Sequence, residues 1–334
     1  VWLRLLKIRS GKALDGPASQ SLLIRVVHQA KTWYYIYDHG ELMNVYKDLN
    51  EAFVSSLYNL RTNGNTVRSR GTTQREILFY SIQIKDPTAL SIQPPARKFN
   101  PDYAIAEWLW YLSRDPSVHN IGKLASIWLR IQDDHGVCES NYGSYLLGEQ
   151  WEWVLQELIS DRDTRRATMV INQPYHKGKN PEDYPCTQYV HFFIRNSKLH
   201  MGVNMRSNDA VFGFCNDVFT FCMFQQLMLN DLNQAIYDNN VDKWNKVIEP
   251  ISLGEYYHTA GSFHVYETHW KMMNKIVDNY YAKVTVSGWP ILNKWKLSDR
   301  IISNKIAEIA LPKREMEKEE IYEHTTKIKE TIYE

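Results

Sequence analysis

Apolar and polar positions are most sharply patterned between residues 183 and 232 of this 334-residue chain. Thr187 to Ile194, rich in β-branched and aromatic residues, predicts a strand, and Asn196-Ser197 turns the chain. Lys198 to Met205 predicts a second strand running back, with Leu199, Met201, Val203 and Met205 on one face. That strand delivers Arg206, Ser207 and Asp209 at its end as a polar cluster able to hold an anion. After a glycine turn at Gly213, Asp217 precedes VFTFCMFQQLML, an apolar segment that predicts a buried helix with a carboxylate at its start.

Upstream, Val45, Leu49, Phe53 and Leu57 recur at four-residue intervals and predict an amphipathic helix over 41–60, followed by a polar loop, RTNGNTVRSRGTTQ. Glu76 to Lys85 reads as a strand. Asn100-Pro101-Asp102 then opens the helix YAIAEWLWYL, where a capping side chain and a proline at the first helical position agree. Trp151 to Ile159 predicts a helix, and DRDTRRATMVI a charged turn entering a strand. Beyond the central stretch, Asp231 to Pro250 reads as a polar helix and LGEYYHTAGSFHVYETH as a loop entering a strand. Residues 1–40 are an extension whose first 35 or so residues alternate weakly and read as strand-rich; 41–300 form the main domain, and 301–334 a charged helical tail.

A hydrophobic content of 44% supports a sizeable packed core, and 39 basic against 38 acidic residues leave a net charge of +1, so no global field recruits nucleic acid or an anionic membrane. Any anionic ligand is held locally. Cys138, Cys186, Cys215 and Cys222 form no CxxC pair, which suits free thiols in a reducing compartment. No apolar run reaches the roughly 18 residues of a membrane span, and VWLRLLKIRSGK lacks a signal-peptide pattern, so a cytoplasmic protein is expected. The 11 histidines show no metal-ligand spacing, and no metal is expected.

Several side chains stand out chemically. Cys186 follows a proline at a strand entrance, where a ligand can reach its thiol. Glu107 lies amid Ala, Trp and Leu, so its carboxylate loses hydration and its pKa should rise; a buried arginine or water satisfying it is the alternative. Asp217 either caps the following helix or faces a ligand. Arg165-Arg166 reads as solvated charge, and Trp128 and Tyr142 as core aromatics, unless a ligand claims them. His264 and Tyr266, two apart, point to one side of a strand.

The ordered strings PCTQYVHFFIR, VNMRSNDAVFGF and the following Asn216-Asp217 resemble the thymidylate synthase superfamily, and within it the bacteriophage deoxycytidylate hydroxymethylase branch, over roughly residues 41–300. The resemblance implies an α+β fold with a large mixed β-sheet that packs against helices and forms a homodimer interface. It implies a thiolate attack by Cys186 on carbon 6 of a pyrimidine, with Glu107 organising water and protons and Tyr142 near the cysteine. It assigns the nucleotide phosphate to Arg70, Arg206 and Ser207, with Arg165 and Arg166 reaching across the dimer, and the sugar 3′-hydroxyl to His264 and Tyr266. It assigns 5,10-methylenetetrahydrofolate, as co-substrate, to Trp128, Asp209 and Gly213. The family's Arg-Thr-Gly arrangement is here Arg68-Ser69-Arg70-Gly71, which leaves Arg68 and Arg70 both open as the phosphate ligand. Asp217 stands where thymidylate synthases carry an asparagine; a carboxylate there accepts from cytosine's amino group and repels uracil's oxygen. The implied activity is 5-hydroxymethylation of dCMP, or of CMP; a reductive methylase and a non-catalytic nucleotide-binding relative are the alternatives.

Overall fold

The computed structural model describes residues 25–29, 32–36, 44–178, 182–239, 249–285 and 294–332. It divides into two compact units, Val1–Leu42 and Met43–Glu334. In the first, strands β1 (Arg25–Gln29) and β2 (Thr32–Ile36) pair antiparallel as a hairpin.

The second unit has the α+β architecture expected, built on a seven-stranded mixed sheet. Its strands are β3 (Asn44–Tyr46), β4 (Asn65–Ser69), β5 (Thr72–Ile84), β6 (Thr168–Val170), β7 (Thr187–Arg195), β8 (Lys198–Asp209) and β9 (Ser252–Tyr266). They lie in the order β3-β5-β9-β8-β7-β6, with β4 also on β5. β3 runs parallel to β5 and β8 parallel to β9, and the remaining pairs are antiparallel.

Helices α1 (Leu49–Asn63), α2 (Pro101–Ser113), α3 (Ile121–Leu124), α4 (Ser126–Ile131), α5 (Gly143–Leu146), α6 (Glu149–Ser160), α7 (Gly213–Asn239), α8 (Trp270–Thr285) and α9 (Lys318–Ile332) complete the unit. α7 packs against β8, β9, α2 and α6. Phe214, Val218, Phe219, Phe221 and Phe224 are all fully buried there, as a helix apolar on nearly every face requires.

Four sequence expectations change. The helix expected over 41–60 starts at Leu49, because Asp48 accepts a hydrogen bond from Glu51 N at 2.8 Å and caps it; Val45 falls on β3. The polar loop after it is a β4–β5 hairpin, whose two-residue turn puts Arg70 and Gly71 at φ 50° and 81°, the left-handed pair such a turn needs. The stretch read as a loop before His264 is one continuous strand, β9. The polar helix expected over 231–250 is the end of α7 as far as Asn239; residues 240–248 lie outside the described set.

The charged tail joins the same unit. Leu311 N donates to Leu109 O at 3.0 Å, Asn120 binds Pro312 O and Arg314 O and accepts from Met316 N, and α9 lies on α2 with Lys329 paired to Asp102 at 2.7 Å. Among the described residues no helix is long and apolar enough to cross a membrane.

Candidate active site

Cys186 sits just before β7, opposite Arg206 of β8. Arg206 N donates to Cys186 O at 2.8 Å, and its guanidinium donates to Tyr184 O at 2.6 Å, Pro185 O at 3.2 Å and Cys186 Sγ at 3.7 Å. Cys186 is the one cysteine of four that is not fully buried. Burial still pushes its thiol up, opposed by the charges of Arg206 and Arg70 and reinforced by Asp217 and Asp183. Cys215 is pushed up to about 12 by burial, although the charge of Arg97 and a hydrogen bond from it oppose the shift. Arg70 reaches toward Cys186 and Tyr266 from the hairpin turn; Arg68 stands on exposed β4.

Two carboxyl groups on the helices influence each other near the site, and one of them, Asp217, acts on this sulfur. Glu107, in the middle of α2, is 6% exposed and accepts from the Tyr103 hydroxyl at 2.8 Å. Burial, and then the charge of Asp217, raise it to about 8. Trp128 Nε1 donates to the Tyr103 hydroxyl at 2.9 Å, so Trp128, itself buried, steadies Glu107 from behind. Asp217 lies one turn inside α7 and is raised by burial to about 7, partly offset by a hydrogen bond from Asn208 Nδ2 at 2.7 Å. It stands inside the helix rather than at its cap, and Asp209 accepts from Val211 N at 3.2 Å and Phe212 N at 3.0 Å in the turn ahead of α7.

Tyr142 is buried between the rings of Tyr111 and Phe221, with Cys186 near enough to raise its hydroxyl after burial has done so. His264 is 3% exposed, and its Nε2 has no hydrogen-bond partner, an orphan that a ligand hydroxyl would satisfy. Tyr266 stands edge-on to it at 4.9 Å and feels Asp209, Cys186, Arg70 and Arg206. Ser207 pairs with Ser262 of β9 beside them. The chain thus gathers Cys186, Arg206, Arg70, Tyr142, Glu107, Asp217, Asp209 and Tyr266. Arg165 and Arg166 have no contact with this cluster; Arg166 is gripped through Nε and NH2 by Glu157 and is 75% exposed.

Sequence reasoning passed over Tyr103, Arg97 and Asn208, and gave His258 a structural part. Tyr103 was legible, four residues before Glu107 on one helix face. Arg97 is buried and donates to Val211 O and Phe212 O, which fixes the turn ahead of α7.

The family model described as thymidylate synthase matches residues 52–311. The chain belongs to the thymidylate synthase family. It is 32% identical over 185 residues to the deoxycytidylate 5-hydroxymethyltransferase of Enterobacteria phage T4, covering 52% of this chain and 71% of that protein. It is 26% identical over 239 residues to the deoxyuridylate hydroxymethyltransferase of Bacillus phage SP01, covering 66% of this chain and 55% of that protein. The fold is similar to thermostable thymidylate synthase A from Bacillus subtilis, with a TM-score of 0.54 and 18% identity over 70% of this chain and 85% of that one.

Proposed function

We propose that the protein is a deoxycytidylate 5-hydroxymethyltransferase, moving a one-carbon unit from 5,10-methylenetetrahydrofolate to carbon 5 of dCMP with addition of water. The observation that carries this reading is Asp217, a carboxylate with one oxygen tied to Asn208 and the other open beside Cys186. An open carboxylate oxygen accepts from cytosine's amino group and finds no donor on uracil's carbonyl. One observation favours a second reading, on uracil nucleotides: at about 7, a protonated Asp217 is accessible at neutral pH and can donate to that carbonyl.

In the proposed reaction Cys186 Sγ adds to carbon 6, and the ring electrons collect at carbon 5. Arg206 and Arg70 offset the thiolate charge as they hold the 5′-phosphate with Ser207. His264 and Tyr266 take the 3′-hydroxyl. Glu107, raised to about 8, carries a proton at neutral pH and passes it to the ring as charge builds there. The folate supplies a methylene electrophile. Asp209 fits its pterin N–H groups because the carboxylate oxygens keep lone pairs beyond the two backbone donors, and Gly213 leaves room beside it. Trp128 serves this side through Tyr103 rather than by an open ring face. Carbon 5 bonds to the folate's methylene and loses its proton as the carbon–nitrogen bond to tetrahydrofolate breaks; water then adds to the exocyclic methylene so formed, and the sulfur leaves carbon 6 as the ring double bond is restored.

The test is the product from dCMP, CMP and dUMP with methylenetetrahydrofolate, identified by mass. Hydroxymethyl-dCMP supports the proposal, and a methylated product or equal use of dUMP overturns it. The enzyme is further proposed to be a cytoplasmic homodimer through the sheet, where Leu78 and Phe79 are 61% and 78% exposed on β5. Each phosphate site is completed by the partner's Arg165 and Arg166. Hybrids of Cys186→Ser and Arg166→Ala chains should then regain activity that neither parent shows; verified hybrids that stay inactive refute the shared site.

A further inference from the structure

Asn208 and His258 lie directly behind the carboxylate on which the proposed base choice depends. Asn208, on β8, is 3% exposed and His258, on β9, 2%. Asn208 turns its Nδ2 to Asp217 Oδ2 at 2.7 Å, so its Oδ1 faces away, and an amide oxygen only accepts. His258 Nε2 stands 3.0 Å from that oxygen and therefore bears the ring proton. The bare Nδ1 accepts from the Tyr256 hydroxyl at 3.0 Å. Burial, which lowers His258 to about 3, keeps the ring neutral and one nitrogen bare.

Every donor in this row points toward Asp217, and the row ends on Oδ2. Its packing allows little slack. The His258 ring meets Phe214 of α7 edge-on at 5.4 Å. A side-chain carbon at Gly213 would stand 3.3 Å from Asn208 Nδ2 and 3.4 Å from Asp217 Oδ2. Turning the Asn208 amide over would set its oxygen against Asp217 Oδ2, tolerable only with a proton between them, and a protonated Asp217 suits uracil's carbonyl. His258 opposes that turn by holding Oδ1.

We propose that Asn208, locked in one amide orientation by His258, is a positioning residue that keeps Asp217 Oδ2 occupied and Oδ1 presented to the pyrimidine's exocyclic group, and so helps set base preference. This rests on Asp217 facing the base, as proposed above.

The test is the ratio of kcat/KM for dCMP over dUMP in the full chain, for wild type, Asn208→Ala, His258→Phe and Tyr256→Phe, with Asp217→Asn as reference. His258→Phe keeps the ring and removes the donor; it and Asn208→Ala should lower the ratio about tenfold, and Tyr256→Phe about twofold to threefold. In the Asp217→Asn background the first two substitutions should leave the ratio where Asp217→Asn put it, a coupling that a purely structural role does not produce. Binding of dCMP and dUMP, read by tryptophan fluorescence, makes the same comparison for a variant that turns over too slowly, and Tyr256→Phe decides the matter should His258→Phe not fold. A ratio that Asp217→Asn moves but none of these substitutions moves overturns the positioning role and leaves base reading intact. Equal losses on both bases overturn it too. A ratio unmoved by Asp217→Asn refutes base reading first, and the positioning role with it.

Discussion

Helix α7 carries two desolvated carboxylates, one at the site and one in its second half, and they are used in opposite ways. Asp231 has both oxygens engaged: Trp151 Nε1 donates to one at 2.6 Å and Ser303 N to the other at 2.7 Å. Asp217 has one oxygen engaged and one open. Burial raises both groups, so a raised pKa does not separate them. The unfilled acceptor does. A buried carboxylate satisfied on both sides ties elements together, here α6 and the 303 segment to α7; one satisfied on a single side waits for a ligand.

The largest effect that would sharpen this contrast lies opposite the open oxygen. Cys186→Ser should cut turnover by roughly 10⁴-fold or more while dCMP still binds, because a hydroxyl lacks the thiolate's nucleophilicity. Tritium release from carbon 5 of labelled dCMP measures it, and near wild-type exchange would remove Cys186 as nucleophile. Glu107→Gln should cost about 10²–10³-fold in kcat yet change stability in the opposite sense. The folded value of about 8 lies above the ordinary 4.5. The stability contributed by Glu107 is therefore complete below about 4.5 and lost as pH rises through 8. The glutamine variant should lose less stability between pH 5 and 9, as thermal melts would show; equal slopes would place the titration elsewhere.

Asp231→Ala leaves the donors of Trp151 and Ser303 unmet and should destabilise by about 2–3 kcal/mol with no change in base preference. A changed dCMP to dUMP ratio in a folded Asp231→Ala enzyme would break the comparison. Asp217→Asn should do the reverse, keeping stability within about 1 kcal/mol and moving the kcat/KM ratio toward dUMP by roughly tenfold to a hundredfold. A stability loss with an unmoved ratio would make the two aspartates equivalent.

Much of the site was legible because its chemistry lies in short strings. Pro185-Cys186, Arg206-Ser207 and the α2 start at Asn100-Pro101 are read within a few residues of one another, and Glu107 betrays itself by its apolar neighbours. What escaped depends on strand crossing. The first part of β9 read as a loop, yet it is strand, and its Gly254 serves close approach: a side-chain carbon would stand 2.6 Å from Leu199 O of β8. Once β9 is a loop on paper, His258 has no register and its meeting with Asn208, 50 residues away in sequence, is invisible. The hairpin turn that sets Arg70 apart from Arg68 is likewise specified by no polar pattern.

The docking of α9 on α2 bears on how the chain is made. Lys329 and Asp102 are separated by 227 residues in sequence, so a helix synthesised early is covered by one synthesised far later. Until residues near 329 have cleared the ribosome, the face of α2 that receives them is open to solvent and to other nascent chains. Closing so long a span is entropically slow. Covering of the helix that carries Glu107 is therefore a late event, and slowed synthesis or chaperone capture would be felt first there.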